Sequence, residues 1–305
     1  MHEEILTEKK GDEKMATRRT FVKNAVTALA LSGLADSVGA DEHSVTHSNL
    51  LPVIQLGKLR VTRLILGGNP FSGNSHQSGK LSNEMLDYYT TAKIKETLEE
   101  AYRCGVNAFL GRADKHIMRV LNEYWDEGGS LKIWIAQTAP EYASMRKNID
   151  QAVDFGASAV YIQGNQTDAA FVEGRRRQLI EWLEYIKSKN VVAGIASHRT
   201  DNLPVAQKED FPVDFYMQCF YNLNVHENQY LPEDRDAAIA CIQTLEKPVI
   251  GYKILAAGRN EPEAAFRFAF SHIRAKDAVC VGMFPKYRPD EIRQDAEWTR
   301  KSLTG

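Results

Sequence analysis

The sequence predicts a (β/α)8 barrel, a TIM barrel, preceded by a short N-terminal β-hairpin. Three observations predict it. Apolar strand-like runs recur eight times and alternate with stretches of helical periodicity. Hydrophobic residues make up 43% of the 305, enough for one large core without a second domain. The first barrel strand is followed by Gly67-Gly68-Asn69-Pro70, and no G-x-G-x-x-G occurs, which argues against a doubly wound dinucleotide fold.

Residues 17 to 40, TRRTFVKNAVTALALSGLADSVGA, form the first element. The pair Arg18-Arg19, a weakly apolar run from Ala25 to Ala35, and the small-residue exit Val38-Gly39-Ala40 have the order of a secretory signal. The apolar run is about half of the roughly 20 residues that span a bilayer, so no stable membrane anchor is expected. The order Thr-Arg-Arg-Thr-Phe-Val-Lys resembles the twin-arginine export motif, which implies the twin-arginine export machinery as a partner and a periplasmic or otherwise extracytoplasmic location. Met15, just before the motif, is an alternative start. The expected organisation is a signal over 1–40, a tether over 41–52 and one barrel domain over 53–305. His43 and His47 in the tether have i, i+4 spacing, but a tether is a poor metal site.

The hairpin is read at Val53–Leu56 and Leu59–Val61 around Gly57-Lys58. Barrel strands follow at Leu64–Gly67, Asn107–Leu110, Lys132–Ala136, Ala159–Ile162, Val191–Ala196, Asp214–Cys219, Pro248–Tyr252 and Ala278–Gly282. Helical periodicity is clear at Thr91–Tyr102, Lys115–Trp125, Arg175–Lys187, Asp234–Leu245 and Glu263–His272, the last after the start signal Asn260-Glu261-Pro262. A net charge of -2 without a long basic block excludes a nucleic-acid partner. Cys104, Cys219, Cys241 and Cys280 show no C-x-x-C pair and no zinc-ligand spacing, and no metal site is expected.

In such barrels the functional groups stand at the C-terminal ends of the strands. That rule collects Asn69, Ser72 and His76 after strand one, and Arg112, Asp114 and His116 after strand two. Gln137 and Thr138 follow strand three, Gln163 and Asn165 strand four, and Ser197, His198 and Arg199 strand five. Gln218, Tyr221 and Asn222 come from strand six, Tyr252 and Lys253 from strand seven, Met283 and Lys286 from strand eight. Amide, imidazole and guanidinium groups of this kind bind hydroxyls, carbonyls and anions, so the expected ligand is a small molecule, sugar-like or phosphorylated. Bland roles compete: Asp114 as a helix N-cap, Arg112 in a structural ion pair, His116 facing solvent. Because side chains alternate along a strand, Tyr252 and Lys253 cannot both face the cleft from regular strand, and Lys253 is expected to lie past its end.

Several segments resemble the aldo-keto reductases: the hairpin before strand one, Leu66-Gly67-Gly68-Asn69-Pro70-Phe71, Cys104-Gly105-Val106-Asn107, Gln218 and Tyr252 at strand ends, and Val281-Gly282-Met283 with Arg288-Pro289-Asp290-Glu291. The resemblance spans nearly the whole chain after the signal. It implies NADP as cofactor, with Gln218 and Tyr252 against nicotinamide and Ser197, Lys286 and Arg288 behind them. The family's catalytic Asp, Tyr, Lys and His do not carry over. Leu110 stands at the Asp position, Lys115-His116 in the Tyr region, Gln137 for Lys and Gln163 for His. Neutral amides are not general acids. The expectation is therefore an exported aldo-keto-reductase-like oxidoreductase for a sugar-like or carbonyl substrate, with His116 or Lys253 as proton donor. Asn69, Arg112, Gln137 and Gln163 would bind the substrate. The alternatives are a non-redox lyase, isomerase or hydrolase of carbohydrates, using Asp114, His116, His198 and Lys253 for acid–base work, and an inactive ligand-binding relative.

Overall fold

The computed structural model describes residues 49–221 and 230–304. The segment read as an export signal, most of the expected tether, His43, His47 and Asn222 lie outside the described residues. Strands β1 (Val53–Leu56) and β2 (Leu59–Thr62) pair antiparallel as the expected hairpin. The eight strands that follow close a parallel barrel in sequence order, the last pairing with the first. They are β3 (Leu64–Gly67), β4 (Ala108–Arg112), β5 (Ile133–Gln137), β6 (Ala159–Ile162), β7 (Val192–Ser197), β8 (Phe215–Cys219), β9 (Val249–Tyr252) and β10 (Ala278–Gly282). The fold is an α/β TIM barrel.

Helices run between the strands. After β3 come α1 (Gly79–Tyr88) and α2 (Thr91–Arg103), after β4 α3 (Lys115–Asp126), and after β5 α4 (Met145–Asp154). The chain continues through α5 (Gly164–Val172), α6 (Arg176–Ser188), α7 (Asn202–Lys208), α8 (Pro232–Thr244), α9 (Pro262–His272) and α10 (Glu291–Thr304). Helix α1 occupies what the sequence reads as a long loop, and Ser78 caps it by accepting from the Leu81 amide. Expected boundaries move by a residue or two. Arg112, Gln137 and Ser197 belong to strand rather than loop, because the ladder extends to the pairs Arg112–Gln137 and Ser197–Gln218.

Two buried layers explain the strand composition. Residues on alternating positions face inward, among them Ile65, Leu110, Ile135, Tyr161, Ala196, Met217 and Cys280. Their neighbours Leu66, Phe109, Trp134, Val160, Ile195 and Tyr216 face the helices. The inner layer also takes Ile54, Leu56 and Val61 from the hairpin, so the hairpin closes one end of the barrel. Gly194 faces inward because the Phe215 ring fills its place: a Cβ there would lie 2.2 Å from Phe215 Cζ. With one end plugged by apolar side chains, polar groups collect at the other.

Candidate functional site

A cavity of about 710 Å³ opens at the C-terminal ends of the strands. Its volume is within the range of small-molecule sites. Strand alternation decides which expected residues reach it. Asn69, Arg112, Gln137, Gln163, His198 and Tyr252 share the parity of the inner layer and line the cavity. Lys253 lines it too, although it follows the inward Tyr252 directly. Its backbone has φ +61°, a left-handed turn just past the end of β9, which breaks the alternation and brings the side chain in. Arg288 lines the far part, beside the start of α10, with a long 3.6 Å contact to Glu291.

The other expected residues lie outside the lining. Gln218 is wholly buried under α8: its amide nitrogen donates to the Cys219 carbonyl and its oxygen faces Cys241 Sγ at 3.4 Å. Met217 is the β8 side chain that lines the cavity, so the placement of Gln218 against a cofactor is corrected. Ser197 is likewise outward and buried, and Ala196 takes its place on the wall. His116 is exposed in the first turn of α3, away from the cavity, and is not placed to donate a proton there. Lys286 lies outside the wall, 3.8 Å from Glu84. Asp114 does two structural jobs: Oδ1 accepts from the Ile117 amide at 2.9 Å as the N-cap of α3, and Oδ2 lies 3.3 Å from Arg112 Nε. Arg112 also donates to both oxygens of Glu141, at 2.5 and 2.6 Å.

The most ordered polar centre is one that strand ends alone do not reveal. Asp168, one turn into α5, reaches the end of β7. It accepts from Ser197 Oγ at 2.7 Å, Asn202 Nδ2 at 2.9 Å and the His198 amide at 3.2 Å, and its Oδ2 lies 2.8 Å from His198 Nδ1. Buried Ser197 thus serves Asp168 rather than the cavity. A carboxylate on Nδ1 holds that nitrogen in its N–H form and leaves Nε2 for the cavity side. Gly164 opens α5 because His198 packs on it: a Cβ would stand 2.7 Å from His198 Cε1 and 3.3 Å from the Tyr252 hydroxyl. The Tyr252 hydroxyl donates to the Ser197 carbonyl at 3.0 Å, and its ring meets His198 edge-on, centroids 5.8 Å apart.

The strand residues deeper in the wall, Leu110, Gln137, Tyr161, Met217 and Cys280, are uncharged. Tyr161, which the strand-end rule does not collect, donates to Gln137 Oε1 at 2.8 Å. Burial pushes the Tyr161 and Tyr252 phenols well above their ordinary range, so both stay protonated. Burial likewise raises the thiols of Cys280 to about 12 and Cys219 to about 11, which makes them inert apolar groups. His76 stands at the rim, its Nε2 3.3 Å from Asn69 Nδ2. Although its ring is partly open to solvent, desolvation, then the charges of Lys253, His198 and Arg259, lowers it to about 4. Two buried atoms of the wall have no hydrogen-bond partner among the described residues, Gln163 Oε1 and Lys253 Nζ.

No protein-family model matches the chain, and no curated protein matches its sequence. Solved structures do match its fold. A Pseudomonas aeruginosa protein described as an aldo-keto reductase is 16% identical, with a TM-score of 0.60 over 86% of this chain and 100% of that one. An aldo-keto reductase from Bacillus halodurans, in holo form, is 12% identical, with a TM-score of 0.54 over 83% and 95%. A protein described as 2,5-diketo-D-gluconic acid reductase B is 10% identical, with a TM-score of 0.51 over 84% and 91%. The shared property is the fold, a barrel of the kind aldo-keto reductases have.

Proposed function

We propose that the protein is an oxidoreductase of the aldo-keto reductase kind, interconverting a hydroxyl-bearing carbonyl compound and its alcohol with NADP, and that His198 moves the proton. The observation that carries this reading is one continuous cavity joining His198 and Tyr252 at the barrel mouth to Arg288 at the last strand–helix segment. Tyr252 offers a flat apolar ring for the nicotinamide, and Arg288 a guanidinium for the phosphate end. The orphaned Gln163 Oε1 is an acceptor waiting for a donor. Tyr252 and Arg288 fit the cofactor, while Gln163 is left for the substrate; Gln218 and Lys286, outside the cavity, do not contribute. When bound, the nicotinamide supplies or accepts the hydride at the carbonyl carbon.

The chain's own residues do the rest. Leu110, Gln137 and Gln163 stand where the family's acid–base groups are expected, and none of them carries a proton to give. His198 Nε2 delivers the proton to the carbonyl oxygen in reduction and takes it back in oxidation. Asp168 stabilises the imidazolium through Nδ1 and fixes the ring's orientation. Gln137, Gln163 and Asn69 orient substrate hydroxyls, and the apolar wall of Leu110, Met217 and Cys280 excludes water from the hydride path. The same His198–Asp168 pair favours a second reading, non-redox acid–base chemistry on a carbohydrate, because it needs no cofactor.

Titration with NADPH decides between them. Tryptophan fluorescence should quench and the melting temperature rise, by roughly 5 to 10 °C at about 100 times Kd. Tyr252→Ala should weaken both effects. No response to NADPH or NADH would discard the oxidoreductase and leave the non-redox reading. We also propose that the twin-arginine segment exports the protein after it has folded. Replacing Arg18 and Arg19 with Lys should retain the precursor in the cytoplasm, and normal export of that variant would refute the assignment.

A further inference from the structure

Lys253 contradicts ordinary burial rules. Its ammonium is enclosed, lines the cavity and has no hydrogen-bond partner among the described residues. Buried charges are normally paired, because desolvation is costly and only a counter-charge offsets it. The other basic groups enclosed in the same wall follow that rule: Arg112 has Asp114 and Glu141, and His198 has Asp168. The exception sits on constrained backbone. Lys253 has φ +61°, and the loop that follows places Ala256, Ala257 and Gly258 at +48°, +53° and +80°. Left-handed backbone at residues with a Cβ is costly and persists where the surrounding structure over-determines it. A run of such residues in one loop is a feature that clusters at ligand sites. Lys253 follows directly on the C-terminal end of β9 and lines the cavity together with His76, which puts it at the barrel mouth.

We infer that Lys253 takes an anionic oxygen group, carboxylate or phosphate, carried by the substrate itself. The second orphan, Gln163 Oε1, is of opposite polarity and takes a hydroxyl of the same molecule. One donor and one acceptor, both dry and unpaired, specify a hydroxylated acid: the anion exchanges water for an unscreened ammonium, and a hydroxyl exchanges water for an unscreened amide oxygen. A neutral polyol satisfies only the second. The inference rests on the oxidoreductase reading only in taking the anion to be the substrate's, since a cofactor phosphate carries the same chemistry.

The test uses the full chain without nucleotide and compares two probes of equal length, D-gluconate and D-glucitol, by calorimetry and thermal shift. Inorganic phosphate is the second anionic probe. Gluconate or phosphate should bind at least about tenfold more tightly than glucitol. Lys253→Met, which keeps the stem and removes the charge, should abolish that preference, and Lys253→Arg should retain it. Circular dichroism checks that both variants fold. The NADPH affinity of Lys253→Met should stay within about threefold of the wild type. Equal binding of the anionic and neutral probes, or an anion preference that survives Lys253→Met, overturns the inference. So does a tenfold loss of NADPH affinity with anion binding unchanged, which would assign the ammonium to a cofactor phosphate. A wild type that binds the anions but no NADPH supports the anion site and sinks only the oxidoreductase reading.

Discussion

Replacing Asp168 by Asn changes one atom of the side chain and tests whether that carboxylate organises the site. Asp168 receives four hydrogen bonds, from Ser197 Oγ, Asn202 Nδ2, the His198 amide and His198 Nδ1, all at 2.7 to 3.2 Å. An amide can accept on one oxygen only, so either the Ser197–Asn202 pair or the His198 pair meets an N–H instead. Two bonds to a charged acceptor are lost, each worth about 1.5 to 3 kcal/mol. Some of this returns if His198 switches tautomer and accepts from the new NH2. The His198 backbone amide cannot switch and stays unsatisfied. The net loss should be about 2 to 4 kcal/mol at pH 7, read by urea unfolding followed by tryptophan fluorescence. Proton–nitrogen NMR of the imidazole should show Nδ1 protonated in the wild type and Nε2 protonated in the variant. Turnover in the proposed carbonyl–alcohol reaction should fall by about two to four orders of magnitude. A stability loss below about 0.5 kcal/mol with an unchanged His198 tautomer would refute the assignment.

Gly164→Ala should displace His198, since the new Cβ would lie 2.7 Å from its Cε1; we expect a stability loss of about 1 to 3 kcal/mol and a shifted His198 NMR signal, and an unmoved signal would count against the packing described. Asp295 in α10 is fully buried without a hydrogen-bond partner among the described residues, and desolvation, then the Glu291 charge, raises its pKa well above the carboxylate range. The folded state therefore holds this proton more tightly than the unfolded chain, so its stabilisation is complete below about pH 4 and declines as pH rises through the folded pKa. Asp295→Asn should remove that decline, by up to about 1.4 kcal/mol per pH unit, and gain on the wild type toward neutral pH; parallel stability–pH curves for the two proteins would refute it. His116→Ala, on the exposed first turn of α3, should change stability by less than about 0.5 kcal/mol and leave NADPH affinity unaltered, whereas loss of NADPH affinity would return His116 to the site.

The barrel is legible in the sequence because each strand is a short apolar run bounded by polar residues, and the ladder only extends some ends, as at Arg112–Gln137. Site membership is legible at the level of parity. Ile250 and Tyr252 face inward together, as do Phe215 and Met217, so counting by twos along each strand excludes Gln218 and Ser197 from the wall. A polar residue at a strand end is a weaker signal than its position in the alternation. Asp168 is not legible at all. It stands on a helix 30 residues before His198, and only the rotation of α5 against the end of β7 brings the two together. The position of Lys253 past its strand follows from the alternation, but its lack of a counter-ion depends on every neighbour that folding brings near.

The hairpin under the barrel also sets the order of traffic. Ile54, Leu56 and Val61 seal the lower end with side chains packed into the inner layer, so the chamber is entered from the opposite end. Whatever settles deepest, against Tyr161 and Cys280, must enter before anything that rests above it and must depart after it. Two ligands stacked one above the other in such a chamber would have to load in order. The partner seated nearer the doorway becomes a stopper for the other, and its departure would pace the whole cycle.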